Sequence, residues 1–310
     1  MAEAAKYLVL EDRAILEIVG EDRVPFLQGL VSNDVTKAGP ETALYAALLT
    51  AQGRFLHDFF LVASGEMLLI DAEAARIDDL SRRLSLYRLR SKVTLRVARD
   101  RWLVAAAFGD GAATALGLPE KEGAARAVSG GGVAYVDPRL AALGARVVLA
   151  FDQGVNALAA AGLVPAARED YDRMRLSLGV PDGSRDLVAE KALPVESGFD
   201  ELNGIDWQKG CYMGQELTAR MKYRALVKKR LMPVAVEGPL PPPGTPIMHG
   251  TEEAGEVRSG QDGIALALLR LDAVESAASA GMPLTAGAAR LIPRKPSWLA
   301  ATPSSGHPTS

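Results

Sequence analysis

One stretch of the chain concentrates unusual chemistry. KGCYMGQELTAR, Lys209 to Arg220, holds the single cysteine of a 310-residue sequence. Glycines flank Cys211 and the aromatic after it, a Gln215-Glu216 pair follows, and basic residues come next. Two readings of Cys211 are open. A free cysteine is among the most often buried residues and can be a small apolar filler. Alternatively, the cations at Lys209 and downstream favour the thiolate, and the glycines let backbone approach a ligand closely. Two carboxylates raise a similar question. Asp58 lies among aromatics in GRFLHDFFLV, where a buried acid needs a partner, and Glu196 lies between turn signals in LPVESGFDEL. Either is equally a surface or capping acid.

Several chemistries are excluded by residue supply. One Cys and three His, His57, His249 and His307, cannot build a structural zinc site or enclose an iron–sulfur cluster within one chain. Only a cluster shared with another chain stays open. No phosphate-binding Gly-x-x-x-x-Gly-Lys loop is present. Gly130-Gly131-Gly132 precedes a strand, which is the wrong context for a dinucleotide fingerprint. No serine sits in a nucleophile elbow.

The elements that must position these residues are mixed. RAILEIVG, ALYAALLT, FLHDFFLVA, EMLLI, WLVAAAF and RVVLAF read as strands. A short helix is expected after Asp22 with Pro25 in its first turn. Asp71 is expected to open a second helix with Ile77, Leu80 and Leu84 on one face. YDRMRLSLG reads as a helix stopped at Gly179. After Arg224 the character changes. LVKKRLMPVAVEG, AGEVRSG and IALALLRLDAV read as strands around a proline-rich crossing, giving a small β module. The final PSWLAATPSSGHPTS is expected to fray.

Composition is that of an ordinary globular chain, 48% hydrophobic and 24% charged. The net charge of −3 is unevenly spread. Ser81–Arg101 and Lys209–Arg230 together hold 15 basic residues and 2 acidic, leaving 20 basic against 36 acidic elsewhere. Two basic segments on an acidic body suit local anion binding or are simply solvated faces. No run of about 18 apolar residues and no secretory signal is visible, so no membrane contact is expected. The lone cysteine suggests the reducing cytoplasm.

KGCYMGQELTAR also resembles the signature of the YgfZ branch of the folate-binding YgfZ/GcvT family. The match falls at Lys209, Gly210, Cys211, Tyr212, Gly214, Gln215, Glu216 and Arg220. FLQGLVSNDVTK, AALLTAQGRFLHDFFLV, RLSLGVPDG, LPVESG and GEVRSG are similar to further stretches of that family, over roughly residues 8 to 296. The resemblance implies an α+β fold: a GcvT-like α/β body around a central hole, residues 1–224, a β-barrel over 225–296, and a flexible tail, 297–310. It implies a reduced folate, tetrahydrofolate, held by Asp58, Arg175, Glu196, Lys209, Gln215 and Glu216, with the basic segments suiting a polyglutamyl tail. It further implies an accessory factor for assembly or repair of iron–sulfur clusters, with Cys211 as the functional thiol. Its partners would be iron–sulfur enzymes or cluster-assembly proteins; direct nucleic-acid binding is not expected. Two alternatives stand beside this: a folate-dependent aminomethyl or one-carbon transferase, and a tRNA-modification accessory protein. Where T-proteins carry two adjacent acids, this chain has His57-Asp58, and the T-protein Tyr-Thr-Gly-Glu stretch is absent.

Overall fold

The computed structural model describes residues 4–152, 154–224 and 227–299. The body comprises β1 (Lys6–Val9), β2 (Arg13–Val19), α1 (Arg23–Gln28), β3 (Leu44–Leu49), β4 (Phe55–Ser64), β5 (Met67–Glu73), α2 (Ile77–Ser85), β6 (Thr94–Val97), β7 (Trp102–Phe108), α3 (Ala112–Ala115), β8 (Ala125–Val128), β9 (Gly132–Val136), β10 (Ala145–Ala150), α4 (Gly154–Ala160), β11 (Val164–Pro165), α5 (Arg168–Leu178), α6 (Gly183–Asp186) and α7 (Gln215–Tyr223). A second unit follows: β12 (Lys229–Glu237), β13 (Pro246–His249), β14 (Glu252–Gln261), β15 (Ile264–Arg270), α8 (Leu271–Ala280), β16 (Leu284–Ala286) and β17 (Ala289–Pro293).

The continuous apolar runs are explained by two-sided burial. Strands β3-β4-β5-β2-β6 make one sheet and β11-β1-β7-β10-β9-β8 another. Along β4, Phe59 and Leu61 face a core shared with Leu27, Leu80 and Leu84 of the helices. Phe60 and Val62 face the opposite core, with Tyr135 and Val148 of the second sheet. Successive strand residues point to opposite faces, so one strand serves two layers. Ile77, Leu80 and Leu84 are fully buried on α2, as their spacing predicts. Each contributes about 1.5–3 kcal/mol by leaving water.

Local expectations fare unevenly. Gly179 ends α5 in the left-handed conformation, the stop that its position implies. Asp22 does not cap α1; its carboxylate accepts the backbone N–H of Lys92 at 2.7 Å. Asp71 does not open a helix. It lies in β5 and binds arginines between the sheets, because an inward strand position puts a carboxylate beside buried guanidinium groups.

Beyond the body, β12-β15-β14-β13-β16-β17 close into a barrel around Val234, Ile247, Val257 and Leu269. The proline-rich crossing joins β12 to β13. LDAV begins α8 rather than extending β15, with Ala273 and Ala277 packed on the barrel. Trp298 is not frayed: its Nε1 donates to Leu178 O at 2.7 Å and its ring covers Gly198. A large aromatic with an available apolar seat docks instead of trailing in water. The rest of the expected tail, 300–310, lies outside the described residues.

Candidate functional site

Cys211 is exposed at the crest of a loop whose two flanks are tightly held. On the near flank, the Asp206 carboxylate accepts the backbone N–H groups of Gln208 and Lys209. Lys209 is buried, and its Nζ donates to Val31 O at 2.5 Å and Asn33 O at 2.7 Å. Burial holds its pKa down to about 8, against the opposing pull of Asp34 and Asp206. The expectation that Lys209 serves the thiol or an anionic ligand therefore meets a different geometry: its ammonium is turned inward to satisfy backbone carbonyls. On the far flank, the Tyr212 ring is buried and Met213 N donates to Gly29 O at 3.2 Å.

The two signature glycines differ in what the fold asks of them. Gly214 has φ +82°, and a Cβ there would lie 2.5 Å from Thr50 O. It seats the start of α7 on the β3–β4 turn, where only glycine fits. Gly210 has neither a positive φ nor any neighbour within reach of a Cβ. Among the described residues, nothing requires glycine beside the thiol. Gln215 and Glu216 form the first turn of α7, where Glu216 is exposed and its charge suits the helix start. At the other end of α7, Lys222 Nζ and Trp207 Nε1 both donate to Asp200, tying the helix to the segment that leads into the loop.

The remaining expected ligand residues lie elsewhere. Asp58 is buried between the sheets and accepts from Tyr45 Oη at 2.9 Å. Burial raises its pKa, opposed by Arg13. Its neighbour His57 points to the other face, where Nε2 lies 2.9 Å from Asp79 Oδ2. Burial lowers His57 to about 4. The two side chains thus cannot act as a pair. Arg175 is fully buried at the junction of body and barrel, bonded to Asp172, Asp186, Val180 O and Ser259 Oγ. Glu196 is half-buried, its pKa raised by burial against the pull of Lys229, Arg54 and Arg230. A cleft of ≈ 510 Å³ opens beside the loop, lined by Lys37, Tyr45, Glu122, Trp207 and Gln208 among others, and none of the six expected folate residues lines it.

Sequence reasoning missed the most charged part of the interior. Arg13 and Arg146 both bind Asp71, while Arg146 and Arg139 both bind Asp137. All three guanidinium groups pack around Phe60, at 5.6, 4.0 and 4.9 Å from the ring centre for Arg13, Arg146 and Arg139. Burial works against the charge of Asp137, but Arg139 and Arg146 hold its pKa low. The available signal was a charged residue inside an apolar strand, as in RAILEIV and ARVVLA. This layer also tests the implied folate. Arg13, Tyr45, Phe60, Tyr135, Asp137, Arg139 and Arg146 are closed to solvent or nearly so. Their polar groups are paired with Asp71, Asp137 and Asp58, so a pterin between the sheets would have to displace those pairs, whereas a cleft of ≈ 350 Å³ opens beside Arg13, lined by Glu73, Asp182, Gly183 and Arg185.

The first basic segment is mostly neutralised: Arg82, Arg83, Lys92, Arg96, Arg99 and Arg101 all form ion pairs. In Lys209–Arg230, ion pairs are formed by Lys222 with Asp200 and by Arg230 with Glu201. Among the described residues, no group of three or more His, Cys, Asp and Glu is placed to hold a metal ion, and no helix is long and apolar enough to cross a membrane.

Architecturally the chain has the fold of a glycine-cleavage T-protein. The solved aminomethyltransferase T of the glycine cleavage system from Bartonella henselae superposes with a TM-score of 0.76 at 15% identity, covering 96% of this chain and 87% of that one. Residues 228–301 match the CAF17 C-terminal β-barrel domain. Sequence places it more narrowly. It is 35% identical over 292 residues to the mitochondrial iron–sulfur cluster assembly factor IBA57 of Mus musculus, covering 86% of this chain and 78% of that protein. It is 36% identical over 284 residues to IBA57 of Homo sapiens, covering 84% and 76%. A homologue from Pyricularia oryzae is 33% identical over 310 residues. The chain belongs to the IBA57 family of iron–sulfur cluster assembly factors. The expected α+β class and the YgfZ/GcvT kinship hold. The cytoplasmic expectation is overturned, because these relatives are named as mitochondrial. A single cysteine shows only that no internal disulfide is needed, which does not distinguish one reducing compartment from another.

Proposed function

We propose that this protein is an iron–sulfur cluster assembly factor that works through the Cys211 thiol. The observation that carries the reading is an exposed cysteine on a crest fixed at both flanks, in a chain whose relatives bear that function in their names. The cluster is cargo here, not a resident group. One thiol can supply one ligand, so the others must come from a partner: an iron–sulfur enzyme or another assembly protein. Open space around Gly210 leaves room for such a partner to approach. Tetrahydrofolate takes no part in this reading, which rests on the thiol alone. We also propose residues 1–224 and 225–296 as the two folding units, supported by barrel closure between β12 and β17.

Deleting the gene and assaying several iron–sulfur enzymes tests the function. Loss of activity in a subset of them, restored by the intact chain, is expected. Unchanged activity across all of them would refute it. Catalytic turnover of tetrahydrofolate with a methylamine donor would instead support the transferase alternative.

A further inference from the structure

Beside the Cys211 loop the chain leaves large apolar side chains in water. Leu86, Tyr87 and Leu89 are 66%, 45% and 89% exposed. They belong to a tip, LYRLR over residues 86–90, that follows α2. The tip is held by turns: Tyr87 N donates to Leu84 O at 3.0 Å, Arg88 N to Ser85 O at 3.2 Å and Ser91 N to Arg88 O at 2.7 Å. Leu89 sits at φ +43°, a conformation that costs a bulky side chain energy and here aims it outward. Tyr87 Oη donates to Met213 Sδ at 3.2 Å, two residues from the thiol. Thus tip and thiol share one surface. The surrounding cations are neutralised by ion pairs, but among the described residues Arg88 and Arg90 form none.

We propose that residues 86–90, together with Met213 and Cys211, form the docking face for a cluster-carrying protein that presents an apolar patch rimmed by carboxylates. This rests on the cluster-assembly reading, because the partner that supplies the remaining thiolates must sit against Cys211. Clustered exposed apolar groups mark interaction sites. Two unneutralised guanidinium groups choose an acidic rim and also suit the negative charge of a thiolate-bound cluster. A second copy of the chain would set Arg88 and Arg90 against their own counterparts. An anionic lipid surface would attract the tip but repel the chain outside Ser81–Arg101 and Lys209–Arg230, where acidic residues outnumber basic ones by 36 to 20.

The test uses the full chain with purified cysteine-rich scaffold proteins of its host, each in apo and [2Fe–2S]-loaded form, by calorimetry and size-exclusion chromatography. An equimolar complex is expected. Leu89→Asp, and the paired Arg88→Glu and Arg90→Glu change, should each weaken it at least tenfold while melting like the parent, since all three side chains are exposed. Added salt should weaken it too. Cys211→Ser should keep affinity for the apo scaffold and alter the visible spectrum of the loaded complex. Unchanged binding by both tip variants overturns the docking face and leaves the thiol reading standing. Tip-dependent binding with a spectrum indifferent to Cys211→Ser supports the face and counts against the thiol. No complex with any scaffold overturns the proposal, as does tip-dependent self-association or co-sedimentation with phosphatidylglycerol vesicles in its place.

Discussion

The interior between the sheets and the crest at Cys211 are opposites. Between the sheets, Arg13, Arg139 and Arg146 meet Asp71 and Asp137 around Phe60, all buried and all mutually satisfied. At the crest, one exposed thiol has no hydrogen-bond partner among the described residues. The first region has the dense charge that suggests an active centre, yet each group already has its counter-charge. The second has almost no local chemistry, yet there a thiol is presented outward between two hydrogen-bonded flanks. Charge density alone is a poor guide to function; whether the groups are already paired decides it.

That contrast can be broken at the interior first. Arg146→Ala should strip Asp71 and Asp137 of a shared cation and cost about 3–5 kcal/mol, read by chemical denaturation, because a buried charge is left uncompensated. A cost below about 1 kcal/mol would mean the centre is not a closed, coupled layer. His57 gives a pH handle on the same sheet. Its folded pKa of about 4 lies below the usual 6.5, so the unfolded chain takes up a proton first as pH falls. Stability should therefore be lost between pH 6.5 and 4, by up to about 3 kcal/mol, and His57→Asn should flatten that window. Lys209→Met leaves the carbonyls of Val31 and Asn33 without their donor. A loss of about 1–3 kcal/mol is expected in thermal melts, with faster amide exchange in the loop. Titration with tetrahydrofolate, mono- or polyglutamylated, should give no heat. Heat that disappears in Asp58→Ala would reopen the space between the sheets to a pterin.

Much of the scaffold could be read from the sequence. The strands FLHDFFLVA and EMLLI, the buried face of α2 and the stop at Gly179 follow from local spacing and backbone preference. The loop around Cys211 stood out as a motif. What could not be read was where side chains end. Lys209 is two residues from the thiol but spends its ammonium on Val31 and Asn33, far away in sequence. Arg175 lies in a family-like stretch but is consumed by Asp172, Asp186 and Ser259. The contact of Tyr87 with Met213 joins segments 126 residues apart, and no periodicity reports such a pairing. Asp71 shows the same limit from the other side: a good cap residue by type, it was claimed by an inward strand position and two arginines.

The central claim is that Cys211 acts and does not merely fill space, and Cys211→Ser in the deletion strain tests it most directly. The side chain is exposed, so the variant should melt within about 1 kcal/mol of the parent. It should nevertheless fail to restore the iron–sulfur enzymes that the intact chain restores, with melting and rescue measured on the same variant so that misfolding cannot imitate loss of function. A variant that folds normally and rescues every enzyme fully would contradict the account.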